Sequence, residues 1–350
     1  MNLLLFNLRV DRDHTALGFT TDWINELAKH FDHITVITMY RGVVAVADNV
    51  EVMSAGLELG WSKPRRLLNF YRLLLAALKA RHFDCCFSHM MPLFTLLAGP
   101  VLKARGIPAA LWYAHNHRPP ILRAALAFAD RALASTRTAF PIATSKLRVI
   151  GQGIDTARFR PPEDAVEAAL LRAITIGRPS RIKNIDLMIR ALAGLRRALP
   201  RTPVRFTIVG EPLSGQDRDY VTACCDLARA LGVEDAVEWA GPVSFAEVHT
   251  AYHRGDIFLS ANDNGLDKAI LEAMASGLPV IAMHPALKAP LGQFYVESEA
   301  GFGEALISLA SLDHEARREI GSRLRRYVES EHSLSQLGRR ITEQLQAIAR

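Results

Sequence analysis

Short apolar runs alternate with longer amphipathic stretches along the whole chain, which is the pattern of βα units wound around a parallel sheet. In the first half the runs at residues 2–6, 33–39, 50–54, 85–88, 109–113 and 148–150 read as strands. Between them, residues 20–30, 64–81, 92–103 and 121–128 carry apolar side chains at three- and four-residue spacing and read as helices. The stretch GQGIDTARFRPP at 151–162 breaks both periodicities and ends in a double proline, so it reads as a linker. A second series follows, with strands at 171–176, 205–209, 236–240, 257–260 and 279–282 and helices at 183–199, 218–231, 245–253 and 268–276. The stretches 315–331 and 334–349 are charged helices with an apolar stripe.

The pattern predicts an α/β protein of two doubly wound, Rossmann-like domains facing a central cleft. The first spans residues 1–162 and the second 163–333, with a terminal helix at about 334–350 packing back on the first. Open parallel sheets place ligands at the carboxyl ends of their strands, so the cleft is the expected active site. The 350 residues suit two such domains, and 49% hydrophobic content supplies two cores.

Composition narrows the class. The most apolar run, 90–102, is too short to cross a membrane and carries Pro92, Gly99 and Pro100. MNLLLFNLRV has no basic lead and no small-residue cleavage site, so it reads as a buried strand rather than a signal peptide. The cysteines form two adjacent pairs, 85–86 and 224–225, without Cys-x-x-Cys, which suits a reducing cytoplasm and argues against a disulfide framework or a zinc site. Residues 1–160 hold 20 Lys/Arg against 11 Asp/Glu, whereas the rest hold 22 against 25. This asymmetry suggests that the first half meets an anionic surface or substrate; the alternative is solubility alone. The basic residues show no aromatic interleaving, which disfavours nucleic acid. No G-x-G-x-x-G follows the first strand, which disfavours a dinucleotide-dependent dehydrogenase.

Two loops carry candidate chemistry. Gly177 and Arg178 follow a strand, and Lys183 stands five residues on at a helix start. A guanidinium fork, an ammonium and free helix N–H groups together suit a diphosphate, although a solvated basic loop (Arg181 lies between them) would look similar. The stretch NGLDKAILEAMASGLPV at 264–280 places a helix start near Asp267 or Lys268 and Glu272 in its first two turns. A carboxylate at Glu272 can accept from both hydroxyls of a ribose; the alternative is an acid on an exposed helix surface. Small residues at 273, 275 and 277 let a ligand or backbone approach closely.

GRPSRIK followed by LDKAILEAMASGLPVIA resembles glycosyltransferase family 4, the retaining enzymes of GT-B fold. FTIVGEP, VEWAGPVSFAEVHTAY, GDIFLSAN, VIGQGIDTARF, FSHMMPLFTLLAG and LWYAHNH match in order, so the resemblance runs from near Met1 to about Ala282. It implies transfer of a sugar from a nucleoside diphosphate sugar to an acceptor hydroxyl with retention, in cell-surface glycan or glycolipid assembly. Arg178 and Lys183 would hold the donor diphosphate and Glu272 the ribose. Gly177, Gly265, Leu266, Asp267 and Lys268 would line the donor, His115 in YAHNH would touch the transferred sugar, and Gly18 would lie in an acceptor or phosphate loop. The family's Glu eight positions before Glu272 is Asn264 here, and Asp267 could supply the missing carboxylate. No cofactor and no metal is expected, because the cations are supplied by the protein and no Asp-x-Asp pair stands in a suitable loop. A nucleotide-sugar epimerase of the same fold and a non-catalytic nucleotide-sugar-binding protein remain the alternatives. The acceptor would be a glycan or a lipid-linked molecule. KPRRLLNFYRLLLAALKARH at 63–82 could rest on anionic lipid headgroups at the inner membrane face, or simply cover the first sheet.

Overall fold

The computed structural model describes residues 1–14, 17–115, 117–163, 170–244, 246–262 and 265–349. The chain divides into two compact units, Met1–Gly153 with Leu334–Arg350, and Ile154–Ser333.

The first unit winds β1 (Asn2–Val10), α1 (Phe19–Ala28), β2 (His33–Arg41), β3 (Val50–Ser54), α2 (Lys63–Ala80), β4 (Cys85–His89), α3 (Pro92–Ala104), β5 (Ala109–Trp112), α4 (Pro120–Phe128), β6 (Arg131–Ala134) and β7 (Leu147–Val149). Its seven-stranded sheet has the order β3-β2-β1-β4-β5-β6-β7 and all its pairings are parallel. The unbroken apolar run of β1 follows from helices on both faces. Leu3 and Leu5 face Trp23, Ile24 and Leu27 of α1. Leu4 and Phe6 face Phe70, Leu74 and Phe94. The strand β6 is absent from the periodicity reading because RALA continues the Ala- and Leu-rich composition of α4. Asp130 marks the break: its carboxylate accepts the Ala109 N–H at 2.8 Å and ties the end of α4 to the start of β5.

The second unit contains β8 (Leu171–Ile176), α5 (Ile185–Ala198), β9 (Val204–Val209), α6 (Gly215–Ala230), β10 (Val237–Gly241), α7 (Val248–Tyr252), β11 (Ile257–Ser260), α8 (Lys268–Ala275), β12 (Val280–Ala282), α9 (Lys288–Leu291), α10 (Glu299–Ala310) and α11 (His314–Glu331). Its parallel sheet has the order β10-β9-β8-β11-β12. The last helix, α12 (Leu334–Ile348), belongs to the first unit, where Leu337, Ile341 and Leu345 join the core beside α1.

Two boundaries differ from the sequence reading. The second unit starts at Ile154, not 163, because the supposed linker is bound to it. The Ile154 N–H donates to the His332 carbonyl at 2.8 Å. Phe159 is buried against Tyr252, and the Arg325 guanidinium collects the carbonyls of Thr156, Phe159 and Ala275. Lys183 also does not begin a helix. It closes a 3-10 turn, Arg181–Lys183, and α5 starts at Ile185 after Asn184 adopts a left-handed φ of 48°.

Candidate active site

In the second sheet the winding direction reverses between β8 and β11, which are neighbours. Such a reversal opens a crevice at the carboxyl ends of the two strands. The loops carrying the two candidate motifs leave from these ends.

After β8, Gly177 has φ +135° and Gly210, after β9, has φ +144°. A side chain at Gly210 would lie 2.2 Å from the Gly177 carbonyl oxygen, so the two loops pack backbone on backbone. A side chain at Gly177 would stand 3.1 Å from the Lys183 ammonium nitrogen; glycine leaves the amine room to lie over the loop. Arg178 is half-exposed, its Nε 4.0 Å from an Asp217 carboxylate oxygen. The third cation, Arg181, turns aside and lies 5.6 Å from the centroid of the Tyr220 ring.

Lys183 is largely buried and ion-paired with Asp267. Burial first, and the Arg178 guanidinium second, push its ammonium down to about 8. Asn184, which the sequence reading passed over, donates its amide to the Ala261 carbonyl at 2.8 Å and so pins the β8 loop to the segment after β11. The signal was available, since Asn is enriched at left-handed positions.

Asp267 is the N-cap of α8. Its second carboxylate oxygen accepts the Ala269 N–H at 3.3 Å. The carboxylate offered by the sequence as a substitute for the family's Glu is therefore committed to Lys183 and to the start of α8. Leu266 is buried, Gly265 is half-buried with open space where a side chain would stand, and Lys268 opens the helix. Asn264 lies outside the described residues. Glu272 is 8% exposed and accepts the Tyr252 hydroxyl at 2.8 Å, so it is not an exposed surface acid.

The remaining candidates lie in the first unit, at strand ends around the point where its sheet reverses between β1 and β4. His115 is exposed, three residues beyond β5. Its Nδ1 accepts the His117 N–H at 2.9 Å, which leaves Nε2 carrying the proton in the neutral ring. Gly18 caps α1 with φ −54°, an ordinary helical value, so its backbone does not single out glycine. Two further residues here were not anticipated. His89, at the end of β4, is buried with its ring 4.6 Å from that of Trp23. Met90 next to it has φ +55°, which is strained for a side chain of its size. Neither residue stands in a pattern that marks it locally.

Fold and site together define an α/β protein of two compact units that brings Arg178, an ion-paired Lys183 and a buried Glu272 carboxylate to the switch point of its second sheet. Residues 171–311 match the family model described as glycosyl transferases group 1. The match lies within the second unit. It is 33% identical over 149 residues to the D-inositol 3-phosphate glycosyltransferase of Kineococcus radiotolerans, covering 39% of this chain and 34% of that protein. It is 27% identical over 151 residues to the mannosylfructose-phosphate synthase of Agrobacterium fabrum, covering 40% and 33%. These matches span about a third of each relative's length. Among solved structures, HepE of Anabaena in complex with UDP superposes with TM-score 0.76 at 18% identity, over 99% of this chain and 100% of that one. Sucrose-phosphate synthase of Thermosynechococcus elongatus gives 0.75 at 14% identity over 99% and 98%. At these identities the likeness establishes the fold, which is GT-B.

Proposed function

We propose that the chain is a retaining glycosyltransferase that moves a sugar from a nucleoside diphosphate sugar to an acceptor hydroxyl. The observation that carries this reading is the pairing, across the β8/β11 reversal, of the Gly177–Arg178–Lys183 loop with the α8 start and its buried Glu272. A diphosphate is met by Arg178 and Lys183, and the ribose by Glu272. The glycosyltransferase and synthase activities of the relatives and the UDP bound by HepE support a nucleotide-sugar donor. His115 would donate from Nε2 to the transferred sugar, Gly265 and Leu266 would flank the donor, and the Gly18 loop would meet the acceptor.

In the reaction the acceptor attacks on the face from which the diphosphate leaves, and the departing phosphate oxygen takes the acceptor's proton. The protein's part is electrostatic: Arg178 and Lys183 stabilise the charge that grows on the leaving phosphate. Two fixed cations supply this without a metal, so turnover should survive chelation by EDTA. Incubation with labelled UDP-, GDP- and ADP-sugars and a panel of glycan and glycolipid acceptors, read by NMR, tests the reading. A transferred sugar of unchanged anomeric configuration is expected. An isomerised donor without transfer, or an inverted product, would overturn it.

The acceptor side is proposed from α2. Leu68 is 74% and Leu75 51% exposed on a helix whose other outward residues include Lys63, Arg65, Arg72 and Lys79, and α2 carries no acid. Exposed leucines within a basic face suit an anionic lipid surface, each cation contributing about 1 kcal/mol. This favours a lipid-linked acceptor at the inner membrane face. No helix of the described residues is long and apolar enough to cross a membrane.

A further inference from the structure

Tyr252 ends α7, twenty residues before Glu272, and is fully buried. Phe159 meets its ring edge-on at 5.8 Å, and Phe258 of β11 lies tilted against it at 5.9 Å. Its hydroxyl has a carboxylate oxygen of Glu272 at 2.8 Å. The terminal torsion of a glutamate is broad, so a single glutamate on a helix does not fix the plane of its carboxylate. A donor locked in place by two aromatic neighbours does fix it. Burial, and then the negative charge of Glu272, raise the Tyr252 hydroxyl well above its ordinary value, so it keeps its proton and always donates.

We infer that Tyr252 is a positioning residue for Glu272, aiming its carboxylate so that the site selects ribonucleotides over 2′-deoxyribonucleotides. This rests on the reading of Glu272 as the ribose acceptor. One oxygen receives the tyrosine from the protein side, which turns the other toward the nucleotide. A sugar lacking the 2′-hydroxyl deprives that aimed oxygen of one of its two ribose donors, and the loss is felt because the acceptor lies in a buried site. Without Tyr252 the carboxylate rotates, and the penalty for the missing hydroxyl shrinks.

The test is calorimetric titration of UDP, GDP and ADP and their 2′-deoxy forms into the full chain and its variants. For whichever base binds, the wild type is expected to prefer the ribonucleotide by about tenfold or more. Tyr252→Phe, which keeps the ring, should reduce that preference to about threefold while binding the 2′-deoxy form as the wild type does. A merely structural tyrosine would lower thermal stability and leave the ratio intact, and that result overturns the inference. Where Tyr252→Phe folds poorly, the Tyr252→Phe/Glu272→Gln double variant removes the unpaired charge. Its ratio should equal that of Glu272→Gln alone, and a further change would show that Tyr252 acts elsewhere. A wild type that binds both sugars equally, with Glu272→Gln unaltered, refutes the ribose assignment itself and is separable from failure at Tyr252.

Discussion

Removing Lys183 and removing its partner Asp267 should have opposite effects on donor binding, although they are two halves of one ion pair. In Lys183→Ala the diphosphate loses a largely buried cation and meets instead an Asp267 carboxylate with nothing to balance it. Loss of one fixed donor to a developing oxyanion costs about 2.7–4 kcal/mol, so donor kcat/KM should fall by about a hundredfold to a thousandfold. In Asp267→Asn the ammonium stays, while the anion that competes with the diphosphate for it is gone. The side chains of the pair are 20% and 23% exposed, so the competition is partly screened and the gain in nucleoside diphosphate affinity should be about threefold to tenfold. Both variants should lose thermal stability, because each leaves one charge unpaired. The assay is nucleoside diphosphate release from the donor sugar together with calorimetric binding, with thermal unfolding as the control for folding. Lys183→Ala within threefold of wild type, or Asp267→Asn losing nucleotide affinity alongside it, would refute the assignment of this pair to the donor phosphates.

Three further outcomes follow from the same structure. Since the Lys183 ammonium is held down to about 8 in the free protein, donor kcat/KM should decline as pH rises through about 8. kcat should stay flatter, because a bound diphosphate holds the proton on; a kcat/KM profile without that alkaline limb contradicts it. Arg325→Ala strips the shared donor from the carbonyls of Thr156, Phe159 and Ala275, and should cost about 2–4 kcal/mol of stability in urea unfolding. Arg325→Lys should recover only part of this. Replacing Leu68 and Leu75 together by Glu should abolish sedimentation with vesicles rich in anionic phospholipid and leave donor hydrolysis unchanged; retained vesicle binding would remove α2 from the account.

The alternation of buried runs and amphipathic helices made most of the fold legible, because strands covered on both faces are apolar throughout and end at polar turns. The four residues of β6 escaped because their composition is that of the helix before them. The helix α10 escaped because EAGFGEALISLA carries two glycines where a helix is weakest in pattern. Within the proposed site, Gly177, Arg178, Lys183 and Glu272 are suggested by motif order and chemistry. What Lys183 touches could not, since Asp267 lies 84 residues away and nothing local links them. The same holds for Tyr252, whose hydroxyl meets Glu272 only when α7 and α8 pack beside β11. The end of the motif at Asn264 falls outside the described residues, so its contribution to sugar choice is a matter for donor specificity measurements.

The most direct test of the account is calorimetric titration of UDP, GDP and ADP into the wild type, Lys183→Ala, Glu272→Ala and His115→Ala. At least one diphosphate should bind the wild type, weaken strongly in Lys183→Ala and Glu272→Ala, and bind His115→Ala unchanged, because that histidine is assigned to a sugar these ligands lack. Absence of binding to all three nucleotides, or binding indifferent to both Lys183 and Glu272, would contradict a donor site at the β8/β11 reversal.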